Sequence, residues 1–264
     1  MNKQVWIAGQ PLAITECGSG LPVVLLAGFG GYKEIWTAQL ADLKGQLHLI
    51  SMDYRGQGAS GGTIASNLAT LADDVAQLLK QLQVVQPVIV GHSLGASVIA
   101  ALRQRHPELA VRGVVIVDQS PKMCNTTDWP FGFNGLTPAT CQQLLHTPVI
   151  RHETLRGLVP SVLTRLIHAE SQHPFDRANA IPLLMDHFTA DWRSVALRET
   201  VPTLLMTARQ SPYFHNGYGQ WLATRNTMIQ EIRVADCGHD IMAEDPAAFN
   251  QTLWHFMKRL NHFN

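Results

Sequence analysis

Nothing in the chain pairs its cysteines: Cys17, Cys124, Cys141 and Cys237 stand far apart, with neither Cys-x-x-Cys nor zinc-type spacing. A sequence of 264 residues can bury a core large enough to fold without covalent staples, so the four are read as free thiols. Charge of one sign is also missing, since 20 Lys and Arg balance 20 Asp and Glu. Without a broad field, binding to nucleic acid or to an anionic membrane is not expected, and a small-molecule substrate has to be captured by local groups. No apolar run is long enough to span a bilayer, and Met1 to Gly9 holds one lysine but no apolar core of the kind a secretory leader needs. A cytoplasmic protein is therefore expected. Internal repeats, low-complexity tracts and long charge runs are absent too. The 12 histidines form no metal-ligand set at convincing spacing, so no metal is expected.

What is present is an alternation. Gln4 to Ile7 and Leu12 to Thr15, with Gly9-Gln10 between them, read as a hairpin. Val23 to Ala27, Leu47 to Met52, Val88 to Val90, Val114 to Val117, Pro202 to Thr207 and Glu231 to Ala235 then read as strands. Their continuous apolar character suits a parallel sheet buried on both faces. Amphipathic helices separate them, notably Leu68 to Leu82 with Leu71, Val75, Leu78 and Leu82 on one stripe. Pro246 to Leu260 closes the chain with Phe249, Leu253 and Phe256 facing inward. The pattern predicts an α/β fold with helices on both faces of a parallel sheet.

Between Pro121 and Asp191 no strand-like run appears, and so long a stretch is not expected to be a bare loop. Helical pieces are read at Leu144 to His152 and Leu155 to Glu170, and a further helix at Asp191 to Val201. The division that follows is a core of residues 1–120 and 191–264 with a helical cap of residues 121–190. Trp129, Phe131 and Phe133 in that insertion are candidates to line a substrate pocket.

The chemistry concentrates at Gly91-His92-Ser93-Leu94-Gly95, where an apolar strand meets helix-compatible residues at a glycine-bracketed corner. Small residues at 91 and 95 allow a turn tight enough to present the Ser93 hydroxyl. The same corner leaves the Leu94 amide at a helix N-terminus, free to face a developing oxyanion. A second donor is expected from the loop Gly28-Phe29-Gly30-Gly31, at the amide of Phe29. Serine needs a base to become a nucleophile. In an open parallel sheet ligands bind beyond the carboxyl ends of the strands, and His239 follows the last strand behind a flexible Gly238. His215 is read as a surface residue, His92 as packing under the turn, and the remaining histidines as solvated or cap positions.

The base in turn requires a carboxylate to hold its tautomer. Ala208 to Phe214, after the strand at 202–207, contains no acid, whereas Asp118 stands directly at a strand end beside the elbow strand. Asp118 is assigned as that acid, with Asp236 and Asp240 as fallbacks.

Ala27-Gly28-Phe29-Gly30, Asp53-Tyr54-Arg55-Gly56-Gln57-Gly58-Ala59-Ser60, Gly91-His92-Ser93-Leu94-Gly95 and Gly238-His239 together resemble the α/β-hydrolase superfamily over nearly the whole chain. The resemblance implies a mostly parallel eight-stranded sheet, a helical cap between the sixth and seventh strands, no cofactor, and a Ser-Asp-His triad. Members whose acid follows the sixth strand match Asp118. Ala27 stands where the superfamily often has histidine, which leaves backbone donors unaffected. The leading expectation is hydrolysis of a small ester or related acyl compound. Carbon–carbon bond cleavage and cofactor-free dioxygenation of a heteroaromatic ring also fit an acid after the sixth strand and a histidine before the serine. A ligand receptor with a nearly idle triad fits as well.

Overall fold

The computed structural model describes residues 1–146 and 152–260. Eight strands form one sheet: β1 (Asn2–Ile7), β2 (Gln10–Cys17), β3 (Leu21–Leu26), β4 (Leu47–Met52), β5 (Val88–His92), β6 (Gly113–Val117), β7 (Thr203–Ala208) and β8 (Ile229–Val234). Their order is β1-β2-β4-β3-β5-β6-β7-β8. The β1/β2 hairpin and the β2/β4 pair are antiparallel, and every later pairing is parallel. The chain moves outward from β3 first to β4 and then to β5. That reversal opens a crevice at the strand ends beside β3 and β5, where open α/β sheets receive their ligands.

Successive side chains of a strand point to opposite faces, so a strand covered on both sides needs an unbroken apolar run. Val23 and Leu25 join one core with Trp36 of a 3-10 turn, Ala38 and Leu43 of α1 (Thr37–Leu43), and Phe249, Leu253 and Phe256 of the last helix, Pro246–Leu260. Val24 and Leu26 join the opposite core with Leu71, Val75 and Leu78 of α2 (Leu68–Gln81) and Val98 and Leu102 of α3 (Leu94–Arg105). Asn67 caps α2, its Oδ1 accepting the Thr70 amide at 2.8 Å.

The conspicuous Asp53 to Ser60 turn is a fastener. Asp53 is buried and accepts the Lys33 amide at 2.7 Å, the Lys33 ammonium at 3.0 Å and the Ala59 amide at 3.0 Å. A Cβ at Gly58 would lie 2.5 Å from that carboxyl. The end of β4 is thereby tied to the segment that follows the Gly28 to Gly31 loop, which fixes that loop from below.

Between β6 and β7 lie α4 (Cys141–His146), α5 (Pro160–Gln172), α6 (Ile181–Thr189) and α7 (Arg193–Leu197). No strand forms here among the described residues; three isolated bridges occur instead. The expected helix at Leu155 to Glu170 starts only at Pro160, because the Leu155 and Arg156 amides donate to Glu244 Oε1, each at 2.8 Å. The expected piece at Leu144 to His152 is helical to His146, and residues 147–151 lie outside the described range. Asp191 to Val201 shortens to α7, since the Glu199 carboxylate takes the Thr200 amide at 2.9 Å and the Val201 amide at 3.2 Å just before Pro202. After β7 come α8 (Tyr218–Ala223), β8, α9 (Ile241–Glu244) and α10 (Pro246–Leu260). All four cysteines are free. No helix among the described residues is long and apolar enough to cross a membrane.

Candidate active site

Ser93 occupies the corner between β5 and α3 with φ of 51° and ψ of −120°, a conformation that side-chain-bearing residues rarely adopt. Holding it costs about 1–3 kcal/mol, which the neighbouring packing must offset. The neighbours show how. A Cβ at Gly91 would approach Gly95 C to 2.5 Å, and one at Gly95 would meet the Leu26 carbonyl oxygen at 2.6 Å, so any larger residue at either place would pry the corner open. The Ser93 amide donates to Val117 O at 3.1 Å, and its side chain is partly exposed to a cavity.

Asp118 begins directly after β6, with φ of 44° and almost no exposure. Its amide donates to Met206 O at 2.8 Å. Its Oδ1 accepts the Ala208 amide at 3.0 Å, and its Oδ2 accepts the Ser211 hydroxyl at 2.6 Å and pairs with His239 Nδ1 at 2.7 Å. The loop after β7, which has no acid, thus supplies donors to the acid of the neighbouring strand. Asp236 is exposed and far from this arrangement in environment, although only three positions from His239.

His239 is buried, and its amide donates to Glu153 O at 2.6 Å. Burial alone would pull its pKa down, but the hydrogen bond and charge of Asp118, helped by Asp240 and Glu153, hold it above the usual imidazole range. Tyr213 stands edge-on against the ring with centroids 4.7 Å apart, and His92 lies 4.4 Å away on another side. His92 does not pack under the turn. It lines the cavity, with Nε2 lacking a hydrogen-bond partner and 3.5 Å from Asp240 Oδ1. Burial first, and the charge of His239 second, push its pKa well down, so it is neutral. Asp240 is pushed up to about 7, mainly by burial and then by Glu153 and Asp118, against the opposing pull of His239.

Ser93, His239, His92 and Asp240 share one cavity of about 600 Å³. The loop Gly28 to Gly31 forms part of its wall. Neither the Phe29 nor the Leu94 amide donates to a protein acceptor among the described residues, and Leu94 is the first residue of α3. Leu158 and Leu166 from the α5 region, Leu184, His187 and Phe188 from α6, and Arg177 between them complete the opposite side. Of the three aromatic residues expected in the pocket only Phe133 lines it, stacked on Tyr213 with centroids 5.0 Å apart. Trp129 and Phe131 do not. Trp129 is fully buried, donates its indole N–H to Lys122 O at 3.0 Å, and packs edge-on against Phe131 and Trp221, while Phe131 sits over Gly217. They hold the base of the inserted segment to α8.

His187, Arg177, Glu153 and Tyr213 were not anticipated from the sequence. A signal existed for His187: it follows Leu184 by three positions and precedes Phe188, which places it on the inward stripe of α6. Its pKa falls to about 3 through burial. Among the described residues no group of three or more His, Cys, Asp or Glu could hold a metal ion.

Residues 23–252 match the model of the alpha/beta hydrolase family, and the chain belongs to that family. Among its curated relatives, "Putative carbamate hydrolase RutD" of Yersinia enterocolitica is 28% identical over 89% of this chain and 86% of that protein. A 3-oxoadipate enol-lactonase 2 of Acinetobacter baylyi is 26% identical, covering 86% of this chain and 85% of the relative. Among solved structures, an esterase from Exiguobacterium antarcticum superposes with a TM-score of 0.84 over 98% of this chain and 100% of that one, at 19% identity. That last likeness is one of fold.

Proposed function

We propose that this hydrolase cleaves a small ester or related acyl substrate through an acyl-enzyme on Ser93. The observation that carries the reading is the 2.7 Å bond from Asp118 to His239 Nδ1, which leaves the other ring nitrogen available at the cavity that Ser93 also lines. In this reading His239 Nε2 takes the hydroxyl proton as Ser93 Oγ attacks the substrate carbonyl carbon. Asp118 keeps the proton on Nδ1 and stabilises the imidazolium that forms. The amides of Phe29 and Leu94 receive the developing oxyanion, a contribution worth about 100- to 1000-fold per donor. The imidazolium then protonates the leaving group, the carbonyl re-forms, and the acyl group remains on Ser93. Water, deprotonated by the same imidazole, attacks the acyl-enzyme and releases the acid. Residues 121–190 serve as a cap over the core of residues 1–120 and 191–264, so that the acyl group is enclosed by Phe133, Leu184 and Phe188.

A fluorophosphonate probe tests this directly. Labelling of the wild-type protein at Ser93, lost in Ser93→Ala together with hydrolysis of short and medium p-nitrophenyl esters, is the expected result. A wild-type protein that neither reacts with the probe nor turns over an ester would sink the acyl-enzyme.

A further inference from the structure

Arg177 is the only lysine or arginine among the described residues that line the cavity. A guanidinium carries five donors. Here its side chain spends one of them on Leu145 O, at 3.3 Å, and places Cζ over the Phe29 ring, 5.6 Å from the centroid. No acidic side chain pairs with it among the described residues, and residues 147–151 and 261–264 contain neither Asp nor Glu. The other arginines that approach other elements show what is missing: Arg55 has Asp74, Arg103 has Glu199 and Arg193 has Asp191. Consistently, the pKa of Arg177 is lowered, and desolvation is what lowers it.

The position is also built. Phe175 packs edge-on against Phe29 with centroids 5.2 Å apart, and it fits only because Gly30, at φ of 69°, has no Cβ; one there would come within 2.8 Å of the ring. The Arg177 amide bonds to Phe175 O at 3.2 Å, so the turn that presents the guanidinium rests on the loop whose Phe29 amide faces the oxyanion. The acids of the cavity lie elsewhere. Glu153 receives the Tyr213 hydroxyl beside His239, Asp240 is next to His92, and Glu170 is exposed on α5. Two of the cavity's carboxyl groups, Glu153 and Asp240, thus sit near the base and Glu170 lies within electrostatic reach of Tyr32, while the one cation near the oxyanion loop forms no ion pair among the described residues.

We propose that Arg177 is an anion subsite, and that the substrate is an ester or lactone bearing a carboxylate on its acyl portion, held by the guanidinium while its carbonyl meets Ser93. This specifies a substrate class and rests on the acyl hydrolysis proposed above. The planar fork of Arg matches a carboxylate bidentately, which a lysine cannot do.

Matched esters decide it. Monoethyl glutarate, neutral ethyl pentanoate and ethyl 4-(trimethylammonio)butanoate have the same reacting end and differ only in the distal group. The wild-type protein should favour the half-ester over the neutral ester by about 10- to 100-fold in kcat/KM, the range expected for a charge-assisted pair. In Arg177→Met that ratio should collapse to about one, and in Arg177→Glu it should invert toward the cationic ester. A wild-type ratio within about twofold of one, a ratio that survives in Arg177→Met, or a preference for the cationic ester would each overturn the subsite. A second measurement is independent of turnover: calorimetric binding of glutarate to Ser93→Ala at low salt, expected to disappear in the Ser93→Ala, Arg177→Met double variant. If no ester is hydrolysed and the fluorophosphonate probe fails, the proposed function falls, and the glutarate titration still decides the subsite. No detectable binding to Ser93→Ala counts against it.

Discussion

The two sides of the cavity are held by different forces. On the sheet side, Ser93 and Asp118 sit at strand ends in left-handed backbone conformations, and the Asp118 carboxyl alone takes three hydrogen bonds. On the side of the inserted segment, Leu184, His187 and Phe188 present a helical stripe held by packing, and among the described residues α6 reaches the core through one hydrogen bond, from the Leu68 amide to Asp186 Oδ2 at 2.7 Å. Directional bonds tolerate little displacement, whereas apolar contacts shift and re-form. One side of the cavity is thus anchored by backbone geometry and directional bonds, the other by side-chain fit.

The sharpest way to break the contrast is on the sheet side. Asp118→Asn should preserve the fold yet lower kcat on an ester by about 10³- to 10⁴-fold, since the amide favours the wrong imidazole tautomer. Asp236→Asn, at an exposed position, should stay within about twofold of wild type in the same assay. If the two results were exchanged, the sheet side would not be organised around Asp118. Next in size is the joint between the two sides. Glu244 is buried and takes the amides of Gly238, Leu155 and Arg156 at 2.8 Å each, so it ties the His239 loop to the inserted segment. Glu244→Ala leaves three donors unpaired and should reduce stability by about 2–4 kcal/mol in urea unfolding, with Glu244→Gln restoring part of it.

On the opposite wall the expected effects are smaller and of another kind. Phe133→Ala should raise KM on a medium-chain ester by about tenfold while kcat changes by less than about threefold, because it enlarges the acyl space without touching the proton path. The smallest effect is a displacement of the pH profile. His239 must be neutral to act as base, so kcat/KM should fall as the solution is acidified, with a midpoint above the ordinary imidazole value. The Asp240 charge contributes to that elevation. Asp240→Asn removes it and should move the acid limb to lower pH; an unmoved limb would show that Asp240 is electrically silent toward the base.

Much of the sheet side was legible in the sequence. The apolar runs announced strands covered on both faces, and the glycines at 91 and 95 announced a corner that the would-be clashes now explain. Asp118 could be chosen because the loop after β7 lacks an acid, although that loop's donors to Asp118, Ala208 N and Ser211 Oγ, could not be foreseen. The inserted segment resisted the same reading for a physical reason. Its aromatic residues look alike in sequence, and only tertiary packing decides that Trp129 spends its ring on Trp221 while Phe133 faces the cavity. His92 was misplaced for a related reason. A side chain next to the corner can turn either way, and here it lies against the His239 ring from the far end of the chain, with centroids 4.4 Å apart.

Gly238 bears on how the cavity can be entered. A Cβ there would come within 2.2 Å of Glu153 O, so the His239 loop and the start of the α5 approach touch backbone to backbone, and the bond from His239 N to Glu153 O clamps them. Swinging that part of the roof aside would drag the imidazole with it. The His239 ring and residues 153–156 are therefore coupled as one piece of the cavity wall.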